Sequence, residues 1–411
     1  MNITLLSLTL SSLHSSPFLS LPGQINKINF KVKNIYCSNF FGNFLRTGSI
    51  NEDILIKNSH FTGFLDRVVY SNQENFFGEK FSEQQRTYKI ENTRLENCVF
   101  SNIKTSGGNG GAIFTIRNLI AKNCEFNGIT GHIGACIYTC GKMDLSNTIF
   151  ANSKGYTSGA IATQQNDDSF VKVKYCKFFN LNSEFISALY LLMEKNGFTT
   201  IKYNNFTKLY ADNCVGCGEI KESNLLIDFC IFSNIEAKVH NGCIVTRELN
   251  SFSCCNSVFY KCKHNSNIMD TASVFLLYST PSRSKISECS FIYCKSANSF
   301  AINVIGGNEL ILSHLCFTGQ KGKEISESNI IKSEDNIFLS ECLDSINKVE
   351  NEFRKIKIGN INANVNHFDY RLLAFQTFIS LVAALLLSLL IVSRKRIFDC
   401  LEKGKTPVAF N

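Results

Sequence analysis

The sequence predicts an all-β protein: a right-handed parallel β-helix ectodomain followed by a single C-terminal transmembrane α-helix. Three observations carry this. A short Asn-x-x-Phe-x-Asn pattern recurs about eleven times, with spacings of 26, 24, 28, 28, 26, 27, 32 and 26 residues from Phe100 to Phe317. A second element, small-small-Ile-x-Thr, keeps step with it. Near the C-terminus, 22 uncharged residues from Leu372 to Ser393 run into Arg394-Lys395-Arg396. A period in the twenties marks a solenoid, in which each repeat buries its apolar face against its neighbours.

The clearest copies of the first element are Asn97-Cys98-Val99-Phe100-Ser101-Asn102, Asn123-Cys124-Glu125-Phe126-Asn127 and Asn147-Thr148-Ile149-Phe150-Ala151-Asn152. Residues two apart share one face of a strand, so each Phe points inward with the residue two before it, and the residue between faces out. Phe100, Phe126, Phe150, Phe178, Phe206, Phe232, Phe259 and Phe291 are therefore expected to form an aromatic spine, with looser copies at Phe40, Phe61 and Phe317. Coils spaced about 4.8 Å apart let these rings stack, and each buried ring contributes roughly 1.5–3 kcal/mol. The Asn residues that follow (Asn102, Asn152, Asn180, Asn234) suit left-handed turn positions.

The second element reads Gly111-Ala112-Ile113-Phe114-Thr115, Ala135-Cys136-Ile137-Tyr138-Thr139, Gly159-Ala160-Ile161-Ala162-Thr163 and Gly242-Cys243-Ile244-Val245-Thr246. Ser187-Ala188-Leu189 and Ala301-Ile302 are degenerate copies. Each repeat thus holds at least two short strands bounded by turn residues. A leucine-rich repeat has a similar period, but Phe, Cys and Ile occupy the inward sites here. Helical repeats fail on period before residue 370.

These paired elements resemble the repeats of polymorphic-membrane-protein-like right-handed β-helix surface proteins, whose solenoid is of the pectate-lyase-like type. The likeness spans roughly residues 34–317 and is clearest at 94–163. It implies a surface location and a parallel β-helix, and carries no activity with it. The chain departs from the bacterial kind in ending on a helix-like segment instead of alternating strands of an outer-membrane barrel.

Eighteen cysteines suggest disulfides, yet Cys98, Cys124, Cys176, Cys230 and Cys289 all sit two before a spine Phe and are expected to form a buried column of thiols. Cys254, Cys255, Cys262, Cys289 and Cys294 lie nearer turns and are the better candidates for pairing. Lys and Arg outnumber Asp and Glu by 42 to 34, but they are scattered singly, so nucleic acid is not an expected partner.

The expected organisation is a signal peptide or first strand in 1–20, a β-helix over 25–345 with a polar insertion near 64–94, a cap or stalk at 346–371, the membrane helix at 372–393 and a cytoplasmic tail at 394–411. The membrane segment would extend about 33 Å as a helix, and the basic flank places the tail inside. Ile3 to Leu10 is apolar but lacks a basic leader. Cys400 is a candidate for palmitoylation and Asn205, in Asn205-Phe206-Thr207, for glycosylation.

No catalytic, cofactor-binding or metal-binding residue is assigned. Carbohydrate chemistry on this fold needs carboxylates, or carboxylates with Arg and Lys, converging from adjacent coils. Asp167-Asp168 point to opposite faces of an extended chain, and Gly131-His132 has no aligned acid. Cys214, Cys217, His240 and Cys243 have zinc-like spacing, but Cys243 fills a small-residue packing site. Gly107 to Gly111 precedes a strand and lacks the Lys-Ser or Lys-Thr of a phosphate loop. The expectation is a non-enzymatic plasma-membrane protein with an extracellular ectodomain that binds or adheres to glycans or proteins of other surfaces. A membrane-tethered polysaccharide lyase or glycoside hydrolase, and a structural coat protein, are the alternatives.

Overall fold

The computed structural model describes residues 2–11, 17–21, 28–47, 52–71, 92–165, 169–265, 271–282, 284–296, 300–318, 325–326, 331–334, 337–338, 342 and 351. They form a parallel β-solenoid in which each coil contributes to three ladders, and every pairing is parallel to the coil before and after. In one coil these are Asn92–Glu96, Val99–Ser101 and Ile113–Thr115; in the next they are Asn118–Lys122, Glu125–Asn127 and Ile137–Thr139. We call them the first, second and third ladders. In Leu189–Lys202 and Gly218–Asp228 the third ladder runs without a break into the first.

The second ladder carries the spine. Phe61, Phe100, Phe126, Phe150, Phe178 and Phe206 are opposite one another in register and buried. Ring centroids are separated by 4.8 Å at Phe100–Phe126, 4.6 Å at Phe178–Phe206 and 4.8 Å at Phe206–Phe232, with planes within 8° of parallel. The column continues through Phe259, Phe291 and Phe317. Phe40 does not belong to it. Cys37 is the residue opposite Phe61, and Phe40 instead stacks on Phe64 at 4.9 Å. Register there follows the left-handed corner, Asn39 at φ 59°, which matches Asn102 at φ 52°, two residues past the spine.

The corner between the first and second ladders explains the cysteines. Its first residue is left-handed in every coil: Asn97, Asn123 and Asn147, then Tyr175, Tyr203 and Phe229. The asparagines form a side-chain ladder, with Asn123 Nδ2 donating to Asn97 Oδ1 at 3.1 Å, and the aromatics stack at 5.2 and 5.3 Å. In eight coils the next residue points inward and donates to the carbonyl two residues back. Cys98, Cys124, Cys176, Cys230 and Cys289 do so through sulfur at 3.2–3.4 Å. Ser59, Thr148 and Ser257 do the same through oxygen at 2.9, 3.1 and 2.7 Å. In these coils the small donor adds a second hydrogen bond to a carbonyl that already accepts the corner amide of the preceding coil, while Ile35 and Leu315 fill the same position with apolar side chains.

The third ladder buries Ile113, Ile137, Ile161 and Leu189 in one register column and Thr115, Thr139 and Thr163 in the next inward one. Residues 64–71, assigned from sequence to an insertion, belong to the coil: Phe64, Val68 and Val69 are fully buried, and Val69 lies opposite Ile113. The extra length of that repeat falls between Ser71 and Asn92. At the start of the chain, Asn2–Leu6 pairs with Ile28–Lys33 and Thr9–Ser11 with Tyr36–Ser38, so these residues serve as strands of the first coil.

Candidate functional site

The interior is mainly apolar, and its buried polar groups, Arg117, Asn204 and His264 among them, are shut off from solvent, so a ligand can be met only on the outer walls. The site residues named from sequence are mainly inside. Burial pushes the thiols of Cys136, Cys176 and Cys230 up to about 12 and that of Cys98 well above its ordinary value, in a protonated, unreactive form at neutral pH. Cys254, Cys255, Cys262, Cys289 and Cys294, the residues expected to pair, are all thiols; Cys254 and Cys289 lie with sulfurs 3.8 Å apart. The disulfide among the described residues is Cys316–Cys342, with Cα atoms 5.8 Å apart. Cys316 occupies the outward place before a spine Phe, where a returning chain can reach it.

Asn205 faces out on the second ladder, and its Oδ1 accepts from Thr207 Oγ1 at 2.5 Å. His132 stacks on Tyr156 at 4.7 Å. Cys217 and Cys243 are interior while His240 is exposed, so the zinc-like set does not converge. Among the described residues no group of three or more His, Cys, Asp or Glu is placed to hold a metal. In the Gly107 to Gly111 loop, the carbonyls of Gly107 and Asn109 accept from Arg67 at 3.0 and 2.7 Å. Asp167, Asp168, Cys400 and the 372–393 segment lie outside the described residues. Among the described residues no helix is long and apolar enough to cross a membrane.

Two outer-wall constellations emerge that the sequence did not single out. The first lies just past the second ladder. A cavity of about 710 Å³ is lined by Asn234, Glu236, Lys261, Lys263, Tyr293 and Lys295, contributed by three successive coils. Glu236 is opposite Lys263, and Lys263 opposite Lys295. Lys263 Nζ lies 2.9 Å from Glu236, leaving two lysines without an acid in the lining. Tyr293 is 46% exposed, enough to offer a ring face to a ligand. A neighbouring cavity of about 490 Å³ on the same side includes Thr130, Lys154, Tyr156, Glu184 and Asp212.

The second constellation is on the outer face of the third ladder. Tyr190 is opposite Glu219, and Lys221, Arg247 and Tyr278 follow one another in register. Glu219 Oε1 accepts from Arg247 Nε at 2.9 Å and from Lys221 Nζ at 3.2 Å. Arg247 sits 4.5 Å over the Tyr278 ring, and partial burial raises the Tyr190 phenol above its ordinary value. The cluster sets two cations and two phenols around a single carboxylate.

Neither a protein-family model nor a curated protein sequence matches the chain. One matching solved structure is a mannuronic acid specific polysaccharide family 6 lyase enzyme from human gut microbiota, at 9% identity and a TM-score of 0.27, covering 90% of this chain and 100% of that one.

Proposed function

We propose that the chain is a single-pass surface protein whose β-solenoid binds glycans on other surfaces. The observation that carries this reading is the wall cavity of Lys261, Lys263, Tyr293 and Lys295 with Asn234 and Glu236. Its lining supplies hydrogen-bond donors and acceptors at regular intervals beside an exposed phenol ring. Sugars need that combination, since their hydroxyl edges are polar and their C–H faces pack on aromatic rings. A protein partner would instead be met by an interface core more apolar than the surface around it. The exposed large apolar residues, Leu6, Phe41, Leu65, Tyr156, Phe179, Phe198 and Tyr293, come from coils spread along the chain. Surface display rests on the uncharged segment Leu372 to Ser393 and its basic flank.

A second reading, a polysaccharide lyase tethered to the membrane, is favoured by the Tyr190, Glu219, Lys221 and Arg247 cluster. It places a phenol and an amine near an arginine able to neutralise a uronate carboxylate. A hydrolase reading has less support, because that cluster holds one carboxylate where two are required.

Incubating the full chain with a panel of uronic-acid and neutral glycans separates these. Retention on one or more glycans with their chain length unchanged is the expected outcome. Release of unsaturated oligosaccharides would replace the binding reading with the lyase one, and no retention on any glycan would overturn both.

A further inference from the structure

The lysines that look scattered along the sequence fall into an axial stripe. Two columns of the solenoid define it. One is the left-handed corner two residues past each spine position: Asn102, Gly128, Asn152, Asn180, Lys208, Asn234, Lys261 and Tyr293, all with positive φ. The other lies two residues further on and is tied by register from coil to coil: Lys104 to Thr130, Thr130 to Lys154, Lys154 to Asn182, Asn182 to Tyr210, Tyr210 to Glu236, Glu236 to Lys263 and Lys263 to Lys295. Lys104, Lys154, Lys208, Lys261, Lys263 and Lys295 are all exposed. The acid in these columns is Glu236, which pairs with Lys263. At the outer margin, Glu184 and Asp212 are engaged by Asn213 Nδ2 at 3.1 Å and Tyr210 Oη at 3.1 Å.

The axial positions of these lysines are regular. Taking the coils from Phe100 to Phe291 in order, lysines appear on the first, third, fifth, seventh and eighth. At one coil per ~4.8 Å, most of the stripe presents a cation every ~9.6 Å over a length of about 34 Å. Both cavities described above open on it.

We propose that this stripe binds a linear, anionic glycan lying along the solenoid axis. The inference rests on the glycan-binding reading and specifies its ligand class. An extended polysaccharide with a two-fold twist turns alternate sugars to the same side. Uronate carboxylates or sulfates on such a chain would then meet the lysines at two-coil intervals, with Asn182 and Asn234 on the coils between them to hydrogen-bond hydroxyls. Tyr293 and Tyr210 supply ring faces along the same track. Nucleic acid fits less well. A duplex carries one charge per ~1.7 Å, far denser than the stripe, and single strands are held by closely spaced aromatic platforms that two tyrosines do not provide.

The test compares the full chain with the triple variant Lys154→Gln/Lys208→Gln/Lys261→Gln. A control triple, Lys122→Gln/Lys174→Gln/Lys285→Gln, removes equal charge from the outer face of the first ladder. Probes are a linear polyuronate, a linear sulfated glycan, a neutral β-glucan and a single-stranded oligonucleotide. The stripe variant should lose about tenfold or more in affinity for the polyuronate, the sulfated glycan or both, and the control triple should lose little. Uronate oligomers too short to span two lysine steps should bind weakly. Equal binding of the neutral and charged glycans, or an unchanged stripe variant, would overturn the anionic assignment while leaving glycan binding standing. Tighter binding of the oligonucleotide than of any glycan would overturn the ligand class. Failure of every glycan to bind would sink the glycan reading itself.

Discussion

Phe178 and Phe179 are adjacent, chemically identical and oppositely placed, which makes them a controlled experiment on the spine. Phe178 is fully buried, with ring centroids 4.9 Å from Phe150 and 4.6 Å from Phe206. Truncating it to Ala removes its transfer free energy and leaves a cavity between two rings that the backbone ladders hold apart. Because two stacked ring pairs are lost with it, the cost should sit at the upper end of the range for Phe→Ala, about 5 kcal/mol. Phe179 is 40% exposed and lies 5.3 Å from the Lys208 amine, so Phe179→Ala should cost under about 1 kcal/mol. The chain has no Trp, and urea unfolding followed by far-ultraviolet circular dichroism is a suitable assay. Because coils couple only to their neighbours, Phe178→Ala should also broaden or split the transition. Equal costs for the two substitutions would refute the inward-outward alternation on which the fold reading depends.

Two further outcomes follow from the interior polar groups. Cys136, Cys176 and Cys230 hold their protons to about pH 12 when folded, whereas an unfolded thiol ionises near 9. Above pH 9 the unfolded chain binds fewer protons than the folded one, so stability falls as pH rises from 9 to 12, by about 1.4 kcal/mol per thiol per pH unit. Replacing all three by Ser should flatten that alkaline limb of the stability curve relative to the parent; an identical limb would exclude these thiols as its source. Asn204 takes the corner position held by cysteine in other coils, accepting from the Cys176 amide at 2.8 Å and donating to the Val173 carbonyl at 2.8 Å. Asn204→Ala should destabilise by about 3 kcal/mol and Asn204→Ser by much less, read from unfolding midpoints, since two coils further on Ser257 likewise accepts from the corner amide of the coil before, Cys230 N, and donates to the Cys255 carbonyl of its own coil.

The spine was legible because its signal is local: Phe100, Phe126 and Phe150 each sit in a three-residue strand with the turn asparagine at a fixed offset. Phe40 misled for the same reason, since Cys37 holds the true register position and only the corner at Asn39 reveals it. The cysteine column was visible as a position but not as a chemistry. Reading Cys98 beside Thr148, Ser59 and Ser257 shows what most coils share at that position, a small side chain able to donate to the carbonyl two residues back. The lysine stripe was hidden by its own periodicity. Lys104, Lys154 and Lys208 lie about two repeats apart in the chain and look isolated until the coils bring them into line. Glu219, Lys221 and Arg247 escaped notice because no acid recurs at that repeat position; with Tyr190 and Tyr278 the cluster is built across four ladder rungs from different residue types.

The central claim is one unbroken interior shared by every coil, with the walls and their lysines positioned by it. Amide hydrogen exchange on the full chain, read peptide by peptide, tests that most directly. Protection should extend through every ladder strand from Asn92–Glu96 to Cys316–Thr318, be strongest in the peptides carrying Phe178, Phe206 and Phe232, and decline toward both ends. Separate protected blocks divided by fast-exchanging peptides that contain spine phenylalanines would contradict it.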